Sequence, residues 1–237
     1  MNASVQASAV RRRLRIQVPT SISRALIAPA LPRLIHQYPE LRVQIHDCQT
    51  IGHTLERLPG GADAALSVGS LADPALVSTR VGTVDAVICA APDFVEQQGE
   101  PATPDELDPD DCIGLIEPGM QEAREWVLNK GRENCWFTPT APLAFGDVDS
   151  AIAAAVRGGG YVRVMNIEVE KEIASGRLQP VLEDWSAGCW PISVVTARDR
   201  VPSTDLAIFT RFVAGLFPTR PFRVHYLDER SSLSSAG

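Results

Sequence analysis

The sequence predicts an α/β protein in which strands alternate with helices around a mostly parallel sheet. Three observations lead there. The apolar segment LRIQV runs through Pro-Thr-Ser into a helix-period pattern and out into a second strand, LRVQI, all within residues 14–45. Residues 147–174 repeat the grammar, with two helical stretches around the apolar YVRVM. The chain has 237 residues, 45% of them hydrophobic, enough to bury one large core or two small ones.

Leu14–Val18 reads as the first strand. Leu26, Ile27, Ala30, Leu31, Leu34, Ile35 and Tyr38 then fall on one helix face. Pro29 and Pro32 forbid a regular helix interior, so the main helix is expected to start near Ala28, where first-turn amides lack partners anyway. Pro39 ends it. Leu41, Val43 and Ile45 alternate with Arg42, Gln44 and His46, the pattern of a strand with one apolar and one polar face.

Gly60-Gly61 is a break, followed by an apolar strand, Ala62–Val68, closing at Gly69-Ser70. Two extended segments follow, Leu76–Val81 and Val84–Ala91, the second apolar nearly throughout, as a strand covered on both faces is. Gly99–Asp111 is Pro- and acid-rich and reads as a surface connection with one helical turn. Ile113–Ile116 is a short strand.

Asp147–Arg157 reads as a helix with Asp147 or Asp149 as cap and Gly158 as its stop. Tyr161–Met165 is a strand, Ile167–Ala174 a helix, Ile192–Ala197 an apolar strand. Ser203–Phe217 is an amphipathic closing helix, and residues 219–237 are polar and expected to be loose.

Net charge is −7. A surface that grips nucleic acid is normally basic, so this chain is not expected to do so unaided; Arg11-Arg12-Arg13 is too short a run to serve. No apolar run is long enough to cross a membrane. Residues 1–13 lack the apolar stretch of an export signal, and the expected location is cytoplasmic. Five cysteines (Cys48, Cys89, Cys112, Cys135, Cys189) are odd in number and scattered, the pattern of free thiols.

Of the four histidines (His36, His46, His53, His225), only His46 and His53 share a conceivable ligand cluster with Cys48, and no second cluster supports it; no metal is expected. There is no Gly-x-Ser-x-Gly elbow and no nucleophile–base spacing. The glycines of RGGGYV, 157–162, follow a helix and precede a strand, the wrong order for a dinucleotide fingerprint, and read as a helix stop. No catalytic residue, metal or cofactor is expected.

What remains is a set of strand ends bearing small polar groups: Thr20 and Ser21, Gly69-Ser70, Glu117, and Asp147 through Ser150. The hydroxyl pair at 20–21 can cap a helix, or can present O–H and free helix N–H groups to a polar ligand. Spacing alone leaves both readings standing.

The chain resembles the effector-binding (regulatory) domain of LysR-type transcriptional regulators. The resemblance is carried by LRIQVPTS and LIAPALPRLIHQYPELRVQI, then GGADAALSVGSLADPALVSTRVGTVDAVICAAPDFVEQQGEPATPDEL, DDCIGL and AVRGGGYVRVMNIEVEKEIASGRLQPVLEDW, in that order, over roughly residues 14–218. It implies two Rossmann-like α/β subdomains joined by two crossover strands, a periplasmic-binding-protein-like (type 2) fold with an effector cleft. Residues 14–87 and 193–218 would form subdomain 1 and 88–192 subdomain 2, with 1–13 a linker remnant, the winged helix-turn-helix absent, and 219–237 a tail.

By the same resemblance Thr20, Ser21, Gly69, Ser70, Glu117, Asp147, Asp149 and Arg163 would line the cleft. Regulatory domains of the family pair antiparallel. That implies a homodimer, or a tetramer when full length, through Leu31, Ile35, Arg42, Gln44 and His46 against Ile152 and Val156. DNA would be reached only through an N-terminal domain missing here. Arg163 stands where the family pattern leads one to expect an apolar or small residue. An arginine there would favour a small-molecule effector bearing a carboxylate, or would pair with a nearby acid; Glu117 and the acids near 147 would favour a cationic or hydroxyl-rich one. Two other classes share the architecture: a solute-binding protein of a transporter, and an enzyme on a related scaffold.

Overall fold

The structure is a computed structural model that describes residues 13–48, 61–69, 73–140, 142–201 and 203–217. Ser70, His53, Gly60, Arg11-Arg12 and the tail 219–237 lie outside the described residues. The chain divides into two compact units, Met1–Val81 with Ser193–Leu216 and Gly82–Ile192 with Phe217–Gly237. It passes between them along two strands, β4 (Leu76–Ala90) and β11 (Cys189–Ala197), which neighbour each other in the sheet. The hydrogen-bonded strand order is unbroken, β10-β4-β11-β3-β1-β2 with β9 also on β4, because these two strands each serve both units.

In the first unit, β1 (Leu14–Pro19) is central. It pairs in parallel with β2 (Val43–Cys48) on one side and β3 (Ala64–Val68) on the other. Leu14, Ile16 and Val18 are buried at alternate positions, as the pleat requires. Ser203 caps α6 (Thr204–Ala214) by accepting the Leu206 N–H at 3.2 Å, and α6 buries Leu206, Phe209 and Val213.

The main helix starts at Ala28 as expected, and eight residues in helical turns lead into it. Thr20–Ile22 is α1, Ser23–Ile27 is a π turn, and α2 runs Ala28–Gln37. Pro29 has no N–H and its ring crowds the carbonyl four residues back, so the α ladder cannot run regularly across it. The Ala28 N–H instead reaches Ser23 O, widening one turn and letting the helix continue.

In the second unit, β4 sits between helical and aromatic layers. Val87 and Cys89 pack with Val162 and Val164 of β9 (Val162–Met165). They also pack with Ala151, Ile152 and Ala155 of α4 (Val148–Val156) and Val169 of α5 (Asn166–Ala174). Ala86, Ile88 and Ala90 face Trp126 and Leu128, with Phe137, Trp185 and Trp190 packed against that cluster. Both faces of the strand are covered, which is why 84–91 reads as apolar throughout.

Three expectations need correction. The segments 76–81 and 84–91 are one fifteen-residue strand; Gly82 does not break it but lies where a Cβ would meet the Phe217 ring at 2.4 Å. The sheet is mixed, since β9 and β10 (Gln179–Val181) run antiparallel to β4. Nothing was assigned to 126–137, which form a hairpin, β6 (Trp126–Lys130) and β7 (Glu133–Phe137), turning at Gly131 with φ 62°. The RGGG stretch does stop α4: Gly158 has φ 79°, and the Gly158 and Gly159 amides bond Ala155 and Ala154 carbonyls.

Candidate functional site

Each unit presents its own set of polar groups. In the first, the strand order β2-β1-β3 means the chain leaves β1 to one side for β2 and reaches β3 on the other. The carboxyl ends of β1 and β3 therefore flank a point where the connections diverge, the position at which open α/β sheets hold ligands. Thr20 and Ser21 follow β1 there, and Gly69 follows β3 with φ 90°, a conformation glycine adopts without strain.

The capping reading of the hydroxyl pair does not hold. Pro19 occupies the cap position and no side chain caps α1. Thr20 Oγ1 donates instead to the Cys48 carbonyl at 3.1 Å, fastening the ends of β1 and β2. Ser21 is 5% exposed, and its Oγ is buried with no hydrogen-bond partner among the described residues. An unpaired buried hydroxyl costs free energy of about 1–3 kcal/mol.

In the second unit Arg163 projects from β9, where it stands opposite Ile88 of β4. Its guanidinium donates from Nε to the Ala187 carbonyl at 2.8 Å, and one terminal nitrogen bonds the same oxygen. Its central carbon lies 5.3 Å from the Trp190 ring centroid; that of Arg124 lies 5.7 Å from the same ring. Burial, and then the nearby Arg124 charge, draw Arg163 down to about 10, still cationic at neutral pH. Of the two alternatives for Arg163, pairing with a nearby acid is not found among the described residues.

Glu117 pairs with Arg124 at 3.2 Å, so Glu117 and Arg163 meet in one cluster through Arg124 and Trp190. Arg124, Gly188 and Trp190 escaped the sequence reading. A tryptophan two residues past a glycine (GCW, 188–190) is the only local signal, and it does not say what the ring meets. Asp147, one of the two caps expected for this helix, is exposed, and its Oδ2 accepts the Ser150 N–H at 3.0 Å and hydroxyl at 2.9 Å, so its carboxylate caps α4. Asp149 lies in the first turn of that helix, half-buried.

Among the residues expected at a dimer surface, Leu31, Ile35, Gln44 and Val156 are half-buried, while Arg42 and His46 are exposed. Arg42 donates to the Pro39 and Leu41 carbonyls. Ile152, at 7% exposure, packs in its own unit's core. Among the described residues no group of three or more His, Cys, Asp or Glu side chains could hold a metal ion.

The family model described as the LysR substrate binding domain matches residues 7–217. An HTH-type transcriptional regulator of Xanthomonas campestris pv. campestris (strain 8004) is 30% identical over 204 residues, covering 84% of this chain and 58% of that protein. The chain thus spans less than two thirds of that relative's length. The regulatory domain of CrgA, a LysR-type transcriptional regulator from Neisseria meningitidis, superposes with a TM-score of 0.72 at 23% identity, covering 86% of this chain and 98% of that one. The full-length Vibrio cholerae virulence activator AphB gives a TM-score of 0.71 at 19% identity, covering 86% and 67%.

Proposed function

This chain belongs to the LysR substrate-binding domain family, the regulatory domains of LysR-type transcriptional regulators, and from that premise we propose that it senses a small-molecule effector for a DNA-binding regulator. The observation that carries the reading is Ser21: a buried hydroxyl, unpartnered among the described residues, at an uncapped helix start, beside the divergence of β2 and β3 around β1. Thr20 and Gly69 join it in the first unit, and Ser70 is assigned with them from the sequence alone. Arg163, Glu117 and Asp149 supply the polar groups of the second. A carboxylate is among the chemistries these groups accept.

The proposed mechanism is a shift of populations. An effector that binds one arrangement of the protein better than another moves the equilibrium by its differential affinity and no further. In the intact regulator the shift passes through a homodimer, or a tetramer, to DNA-reading domains that precede this region, in the cytoplasm and without turnover of the effector. Among the described residues no helix is long and apolar enough to cross a membrane. The family match favours this reading over a transporter's solute receptor or an enzyme.

A thermal-shift screen with small aromatic and aliphatic acids, polyols and amines, followed by calorimetry on hits, tests the proposal. Thr20→Ala with Ser21→Ala is expected to abolish ligand-induced stabilisation while the apo melting temperature stays within a few degrees. Undiminished stabilisation of the double variant by every hit would overturn the assignment of these hydroxyls.

A further inference from the structure

We infer that Arg163, Arg124 and Trp190 form a seat for a small monocarboxylate, built wholly within the second unit. The inference rests on the effector-sensing reading and names the chemistry of one part of it. Two guanidinium groups lie within 6 Å of a single indole, at 5.3 and 5.7 Å from its centroid. A guanidinium has five N–H donors in a fixed fork. Among the described residues those of Arg163 reach only one acceptor, the Ala187 carbonyl, which bears no charge.

A half-buried cation beside another cation is an electrostatic debt that an anion relieves. Arg163 feels both effects, burial first and the Arg124 charge second. A structural staple between β9 and the 187–188 turn would account for the Ala187 bonds. It would not account for a second arginine brought to the same ring.

Gly188 holds the parts together. It has φ 121°, and a Cβ there would come within 2.7 Å of the Trp190 ring and 3.0 Å of an Arg163 terminal nitrogen. Only glycine lets the indole and the fork approach the turn this closely. Glu117, at 3.2 Å from Arg124, already supplies one negative charge. The Arg163 fork, which meets no charged acceptor among the described residues, matches a single carboxylate.

The test titrates the chain with sodium benzoate and sodium acetate, against sodium chloride at matched ionic strength and inorganic phosphate. At least one carboxylate is expected to raise the melting temperature saturably and to change tryptophan fluorescence, a change lost in Trp190→Phe. Arg163→Gln is expected to weaken binding about ten- to a hundredfold, the loss of hydrogen bonds to a charged group, with Arg163→Lys in between.

Should Arg163→Gln melt far below the wild type, Arg124→Gln gives the same readout, because Arg124 is no part of the Ala187 bonds. Carboxylates that act no differently from chloride overturn the inference, as does unchanged affinity in Arg163→Gln or, where that variant is unfolded, in Arg124→Gln. A neutral or cationic hit that needs Thr20 and Ser21, with no carboxylate binding, sinks this seat and leaves effector sensing standing.

Discussion

The Asp63 carboxylate accepts the backbone N–H of Arg15 at 2.7 Å through Oδ2, while Oδ1 pairs with the Arg200 guanidinium. Arg200 also donates to the Ala62 carbonyl at 2.8 Å, so one acid ties the start of β3 to β1 and to the turn after β11. Asp63 is 8% exposed. Its replacement strands a strand amide and a cation together.

Asp63→Ala is therefore expected to destabilise the protein by about 2–4 kcal/mol, the range for losing a buried acceptor and a partly buried ion pair. Asp63→Asn keeps an acceptor for the Arg15 amide and loses less. Urea unfolding followed by circular dichroism reads both, and a change for Asp63→Ala no larger than that of an ordinary surface substitution would contradict this account.

Asp147→Ala removes the α4 cap and is expected to cost about 1 kcal/mol. Effector affinity should not change, since both hydrogen bonds of that carboxylate stay within the helix start. Calorimetry on the variant checks it. A large loss of affinity at nearly native stability would return Asp147 to the ligand-contacting set.

Cys89 and Cys112 are each pushed up from 9.0 to about 12. Burial is the main cause for both, followed by Glu172 for Cys89 and by Asp111 and Asp108 for Cys112. Below pH 9 both thiols are protonated, folded or unfolded, and their contribution is fully present. Between 9 and 12 the unfolded chain releases protons that the native one keeps, so stability is lost as pH rises. The melting temperature should fall across that window more steeply in the wild type than in Cys89→Ala/Cys112→Ala. At pH 8 native-state alkylation should reach exposed Cys189 and spare both buried thiols.

Much of the fold was legible because its signals are local. The 14–45 strand–helix–strand pattern, the Asp147 cap and the Gly158 stop each depend on residues within a turn or two of one another. The prolines at 29 and 32 correctly marked an irregular helix. They did not show that the chain would absorb the irregularity as a π turn, because that choice depends on how Ile22, Ile27 and Leu34 are buried.

Thr20 and Ser21 were singled out from sequence, but their roles diverged only in three dimensions. Parallel pairing sets Pro19 beside Cys48, which gives Thr20 a carbonyl, while Ser21 is buried where no described residue offers a partner. The hairpin at 126–137 was missed because its inward residues, Trp126, Leu128 and Phe137, acquire meaning only against the far face of β4.

By itself the sequence determined the α/β class, the family pattern and the positions of strand ends, since periodicity, capping and turn chemistry act between near neighbours. Tertiary structure alone decided the company of Arg163. Arg124, Arg163 and Trp190 come from three separate stretches of the chain, and no local rule relates their side chains. Only the packing of β9 and the 187–190 turn against β4 puts two guanidinium groups on one indole.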